Sequence, residues 1–176
     1  MQKKIAMITI VCGTHRKGSK SFLIAKEYLR ILNNIGREAQ ILDLEKLPER
    51  FIWDDMFGER SEEGTKLIKK YIDNIDKFVF VAPEYNGSIP GILKVLLDAV
   101  EPDKFKGKRA ALVGVASGQF GNLRGLDDLT NMLGHLKVEV CPIKVYLPAI
   151  FKLLDDNNQF TDPGLVERVE GQLSLL

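Results

Sequence analysis

The chain has 176 residues, 45% of them hydrophobic, with 25 basic and 24 acidic side chains and a formal net charge of +1. That length and apolar content suit a single domain over residues 1–176 with one sizeable core. Charge so balanced leaves no basic stripe for nucleic acid, and none of the strong acidity with which electron carriers dock to basic partners.

The apolar run Ile5 to Val11 is too short for a membrane span, has no cleavage pattern after it, and is β-branched in part. It reads as a first strand buried on both faces. Phe22, Ala25, Leu29, Leu32 and Ile35 repeat at helical spacing, and Gly36 stands where a helix ends. Ala39 to Leu44 reads as a second strand, Leu67 to Ile75 as a helix, and Phe78 to Ala82 as a third strand. Ile92 to Val100 follows as a helix, Ala110 to Ala116 as a fourth strand, Leu126 to Leu136 as a helix and Val138 to Tyr146 as a fifth strand. Pro163 to Leu175 closes the chain as a helix with Asp162 just before it.

Strands and helices therefore alternate. That pattern predicts an α/β fold, a doubly wound five-stranded parallel sheet of order 2-1-3-4-5 with helices on both faces. Cys12 on strand 1 and Cys141 on strand 5 are then too far apart to pair, and their spacing suits no metal. Both read as buried free thiols, which places the chain in the cytoplasm.

In an open sheet of this kind ligands sit at the carboxyl edge, so the loops leaving strands 1, 3 and 4 matter most. The first, Cys12 to Ser21, puts the hydroxyls of Thr14, Ser19 and Ser21, two glycines and Arg16 around a helix N-terminus. Free N–H groups and the helix dipole favour an anion there, and Arg16 adds charge-assisted donors. Taken alone, the same residues also read as a capped helix with a solvated basic loop. The second loop, Pro83-Glu84-Tyr85-Asn86-Gly87-Ser88-Ile89-Pro90, holds no Lys, Cys or His. It offers backbone donors of residues 85 to 88 to a flat polar ligand rather than a nucleophile. The third loop, Ala116 to Gly125, contains Ser117, Gly118 and Gly121, and glycine lets a backbone approach a ring closely.

The second loop and the helix after it closely resemble the signature of the NADPH-dependent FMN reductase family, at Pro83, Glu84, Tyr85, Asn86, Ser88, Pro90, Leu93, Lys94 and Asp98. The first loop is similar to that family's phosphate loop at Gly13, Arg16 and Ser19, with Thr14 where Ser is usual, Ser21 where Asn is usual, and His15 where an apolar residue is usual. The third is similar at Ser117, Gly118, Gly121, Leu123 and Arg124, with Asn122 in place of a common Gly. Residues 45 to 62 match no named feature. The resemblance implies a flavodoxin-like fold, FMN as cofactor, NADPH or NADH as donor, and a small-molecule acceptor such as a quinone, an azo compound or free flavin. It implies Thr14, Arg16, Ser19 and Ser21 at the phosphate. It implies Pro83, Glu84, Tyr85, Asn86, Gly87, Ser88, Ser117, Gly118 and Gly121 at the rest of the cofactor. It also implies a homodimer or homotetramer. The hydride step needs no acid or base, so no catalytic side chain is assigned.

Two alternatives share the fold. An FMN-binding electron carrier would lack an open donor site. A phosphate-receiving regulator would need clustered Asp residues at strand ends, where this chain has Cys12-Gly13 and Ala82-Pro83. The loop of residues 51 to 60 emerges at the ligand edge with Phe51, Trp53, Met56 and Phe57, and is expected to form an exposed apolar patch.

Overall fold

A computed structural model describes residues 7–56 and 59–176. Strand β1 (Ile8–Cys12) is wholly buried and lies between β2 (Ala39–Asp43) and β3 (Lys77–Pro83), parallel to both. β3 pairs in turn with β4 (Arg109–Val115), so the order runs β2-β1-β3-β4-β5 as expected. Residues 5 and 6, where the first strand was expected to begin, lie outside the described residues.

The fifth position differs from expectation. Val138 to Tyr146 is two short strands, β5 (Glu139–Val140) and β6 (Val145–Leu147), each parallel to β4. The register slips by two residues between the pairs Ala110↔Val140 and Val113↔Val145. Pro142 stands in the gap and has no N–H to give the ladder, so the edge strand breaks there.

Period-two alternation along the central strands sorts the core. Phe78 and Phe80 join one apolar cluster, and Val79 and Val81 join the other. On the first face lie α3 (Glu62–Ile68), α4 (Gly91–Ala99) and α5 (Leu123–His135); on the second lie α1 (Lys20–Asn34) and α6 (Pro163–Ser174). α1 ends in the turn its sequence announces: Gly36 has φ 72°, its N–H reaches Asn33 O at 3.0 Å, and Arg37 N–H reaches Leu32 O at 2.9 Å.

The helix expected over 67–75 starts earlier, at Glu62, because Ser61 caps it and accepts from Gly64 N–H at 3.0 Å. It widens into a π turn over Lys69–Asp73, whose Ile72 carbonyl takes the buried Lys108 ammonium at 2.6 Å. Phe51, on the short helix α2 (Phe51–Asp54), is buried in the core, and Met56 packs against it. Of the expected patch, Trp53 is 77% exposed, beside the exposed Ile52, and Phe57 lies outside the described residues. Cys12 and Cys141 are both free and buried.

Candidate functional site

β1 and β3 are neighbours, yet the helices that follow them lie on opposite faces of the sheet. Their loops diverge at the carboxyl edge and leave a crevice between them. Gly13 makes the exit from β1 possible: a Cβ there would come within 2.9 Å of the Val81 carbonyl oxygen, which accepts the Gly13 N–H at 2.9 Å. Thr14 is buried to 1% exposure, and its Oγ1 lies 2.9 Å from the Tyr85 hydroxyl. The same Oγ1 accepts the Arg16 N–H at 3.2 Å. One side chain thus ties the first loop to the second and shapes its own loop as well.

Ser19 is the N-cap of α1, its Oγ accepting from Phe22 N–H at 3.2 Å. Ser21 is buried and lines the crevice, while Arg16 and His15 are exposed. Among the described residues, the backbone N–H groups of Lys17, Gly18, Lys20 and Ser21 reach no protein acceptor. Orphan donors at a helix start, with hydroxyls and Arg16 around them, fit a phosphate group.

The second loop is a two-residue hairpin. Tyr85 N–H donates to Ser88 O at 2.9 Å and Ser88 N–H to Tyr85 O at 3.1 Å. Asn86 and Gly87 between them have φ of 52° and 80°, the left-handed pair that an Asn-Gly turn of this type demands. Of the four backbone donors expected to face a ligand, two are therefore spent inside the turn, leaving those of Asn86 and Gly87. Ser88 turns its hydroxyl to the Asp128 carboxylate. Glu84 N–H donates to Val115 O at 2.8 Å, which extends the β3–β4 ladder into the loop.

The third loop splits in two. Ser117 and Gly118 are exposed, and Gly118 has open space around it rather than a strained backbone. Gly121, expected at the ligand, is instead a packing residue. It has φ 58°, and a Cβ there would come within 2.8 Å of Leu147 N and 2.9 Å of Tyr146 Cβ. Asn122 is buried with φ 63°, and its Nδ2 donates to Ala82 O at 3.0 Å. That left-handed conformation explains a common Gly at this position, and Asn is the side chain that tolerates it best.

The crevice has a volume of about 240 Å³. Of the residues expected at a cofactor, Thr14, Arg16, Ser19, Ser21, Pro83, Glu84, Tyr85 and Ser117 line it; Asn86, Gly87, Ser88, Gly118 and Gly121 do not. The sequence reading missed Lys17, Lys20, Ile150 and Phe151. The last two follow β6, whose exit also reaches the carboxyl edge, and an aromatic just past that strand was the available signal. Cys12 is no nucleophile. Burial and then the nearby Asp43 push its thiol up from 9.0 to about 11. A wider, more open hollow of about 580 Å³ lies at the amino edge of the sheet, away from the loops. Its Arg37 reaches the Leu173 carbonyl in the last turn of α6 and its Arg109 the Leu176 carbonyl beyond it, a helix-capping arrangement.

The family model described as NADPH-dependent FMN reductase matches residues 6–151, and the chain belongs to that family. Among relatives, an NADPH azoreductase of a Bacillus species is 27% identical over 143 residues, covering 81% of this chain and 77% of its own. An NAD(P)H-dependent FMN reductase of Pseudomonas aeruginosa is 26% identical over 172 residues, covering 94% and 90%. Among solved structures, the flavoenzyme NAD(P)H:(acceptor) oxidoreductase FerB of Paracoccus denitrificans superposes with a TM-score of 0.82 over 97% of each chain, at 23% identity. FMN as cofactor and NAD(P)H as electron donor go with the family, and they set the donor-independent carrier aside. No helix among the described residues is long and apolar enough to cross a membrane.

Proposed function

We propose that the crevice holds FMN and that this single site serves NAD(P)H and a small oxidant in turn, giving ping-pong kinetics. The acceptor class is a flat conjugated molecule: a quinone, an azo compound or free flavin. The observation that carries this reading is the helix start of α1. Orphan N–H groups, the Ser19 and Ser21 hydroxyls and Arg16 surround one anion position, and the Tyr85–Thr14 bond joins it to the second loop.

FMN, when bound, supplies the hydride chemistry. The protein's residues bind and orient. The N–H groups of residues 17 to 21 and Arg16 hold a phosphate, and Thr14 fixes the spacing of the two loops. Pro83, Glu84, Tyr85 and Ser117 wall the remainder, with the Asn86 and Gly87 N–H groups as further donors above it. No side chain here has to move a proton to the reacting atoms, because the hydride chemistry is the cofactor's own.

We place the whole chain in one domain, in the cytoplasm, and in a homodimer or homotetramer. Free buried thiols support the compartment, and the exposed Trp53 and Ile52 beside the carboxyl edge support assembly. The decisive experiment is anaerobic stopped-flow mixing of the FMN-reconstituted protein with NADPH and with NADH. Rapid bleaching of the bound flavin, followed by recolouring on adding a quinone, is expected. A protein that takes up FMN but is not bleached by either nucleotide would return the reading to a carrier.

A further inference from the structure

One wall of the crevice carries more positive charge than a flavin phosphate uses. Arg16, Lys17 and Lys20 all line it, against Glu84 as the one carboxylate among the described lining residues. None of the three cations forms an ion pair among the described residues. A phosphate monoester brings about two negative charges. Arg16 and the helix start of α1 already meet these.

The Lys20 ammonium stands over the Phe151 ring, 5.9 Å from its centroid, a cation–π contact between two residues that both line the crevice. Phe151 is 68% exposed, an unusual position for a phenyl group that also lines a polar hollow.

The backbone holds that ring in place. Phe151 sits on a short turn, Ile150–Lys152, that opens at Ala149. Ala149 has φ 46° and ψ 44°, a left-handed conformation that costs a non-glycine residue about 1 kcal/mol or more. Two backbone bonds enforce it: Ala149 N–H to Gly118 O at 2.9 Å, and Ile150 N–H to Ala116 O at 3.1 Å. Further along, Phe160 N–H donates to the buried Glu27 carboxylate at 3.1 Å. Glu27 lies two turns beyond Lys20 on α1, so the 149–160 segment is held at one end by the loop after β4 and at the other by α1. An exposed aromatic ring is thus held beside a cation without an ion-pair partner among the described residues, both lining the crevice.

From this we infer that Lys20 and Phe151 form the subsite for the adenosine 2′-phosphate end of NADPH, and that they make the enzyme prefer NADPH to NADH. The ring offers a face to the adenine. The ammonium offers a charge-assisted bond to the 2′-phosphate, the group by which the two nucleotides differ. The inference rests on the proposed reductase reading for its donor, and its test separates the two.

The ligand is adenosine 2′,5′-bisphosphate, which has the adenine and the 2′-phosphate but no nicotinamide, with adenosine 5′-monophosphate as its control. Calorimetric titration of the FMN-loaded protein should show the bisphosphate binding about ten- to a hundredfold more tightly. Lys20→Gln should abolish that difference and lower the NADPH-to-NADH ratio of kcat/KM by a similar factor, through KM. Lys20→Arg should restore much of both. Phe151→Ala should weaken both adenosine ligands together, and Phe151→Trp should recover them. Equal binding of the two ligands by the wild type, or an unchanged nucleotide ratio in Lys20→Gln, overturns the inference. If neither nucleotide bleaches the flavin, the reductase reading falls, and the bisphosphate titration still decides the subsite because it needs no turnover.

Discussion

The bond between Thr14 and Tyr85 joins residues 71 apart in sequence and closes the crevice at its base. Thr14→Val keeps the volume and removes the hydroxyl. Two hydrogen bonds go with it, the one to Tyr85 and the one from Arg16 N–H, at a residue only 1% exposed. At about 0.5–1.5 kcal/mol net for each bond, and with Tyr85 half-buried so that water recovers part of its share, the apo protein should lose about 1–2 kcal/mol. For a chain of this size that is roughly 2–8 °C in Tm. Tyr85→Phe removes only the shared bond and should cost about 0.5–1 kcal/mol. Because the two variants delete one interaction in common, the double variant should be less damaged than the sum, by about 0.5–1 kcal/mol. Urea denaturation of the four apo proteins measures this coupling, and FMN fluorescence titration of the same four should show the same non-additivity in affinity. Strict additivity in both would refute the claim that this bond sets the spacing of the loops.

Three further outcomes are expected. Arg16→Ala should weaken FMN by about 1.5–3 kcal/mol, toward the lower figure because the side chain is exposed, and an unchanged fluorescence titration would remove Arg16 from the phosphate site. Gly121→Ala should destabilise the fold by about 1–3 kcal/mol through its left-handed φ and contact with Leu147 N, whereas Gly118→Val, in open space, should leave Tm unchanged. Equal Tm losses in the two variants would contradict this division of the loop. Cys12 should make stability fall as pH rises from 9.0 to about 11, since the folded state holds the thiol proton more tightly than the unfolded chain across that window, while below it the contribution is constant. Cys12→Ala should flatten the slope in urea titrations between pH 8.5 and 10.5, and a slope unaltered by the substitution would assign the loss to other groups.

Much of the site was legible because the chemistry of its loops is local. A glycine after an apolar strand, hydroxyls before an amphipathic stretch and an Asn-Gly pair each dictate backbone geometry within a few residues. That is why the loop after β1 and the capped start of α1 could be read from the sequence, whereas the two-residue hairpin at Asn86-Gly87 was read only as a turn. The same locality made Gly36 readable as the end of α1, through the reach of Arg37 N–H to Leu32 O.

Contacts between distant segments were decided only by the tertiary structure. Nothing near Tyr85 in sequence says that its hydroxyl meets Thr14, or that Ser88 turns to Asp128 on α5. Gly118 and Gly121 look alike as letters, yet only Gly121 lies against the β6 backbone, where a side chain would collide. Phe51 and Trp53 sit two residues apart in one apolar loop, and the one-turn helix α2 sends the first into the core and leaves the second in solvent. Phe151 joins the crevice after the left-handed turn at Ala149, where its ring meets Lys20 on α1. A sequence determines which conformations each short segment prefers; which segments then meet depends on how the whole sheet packs, and that energy is shared by residues far apart in the chain.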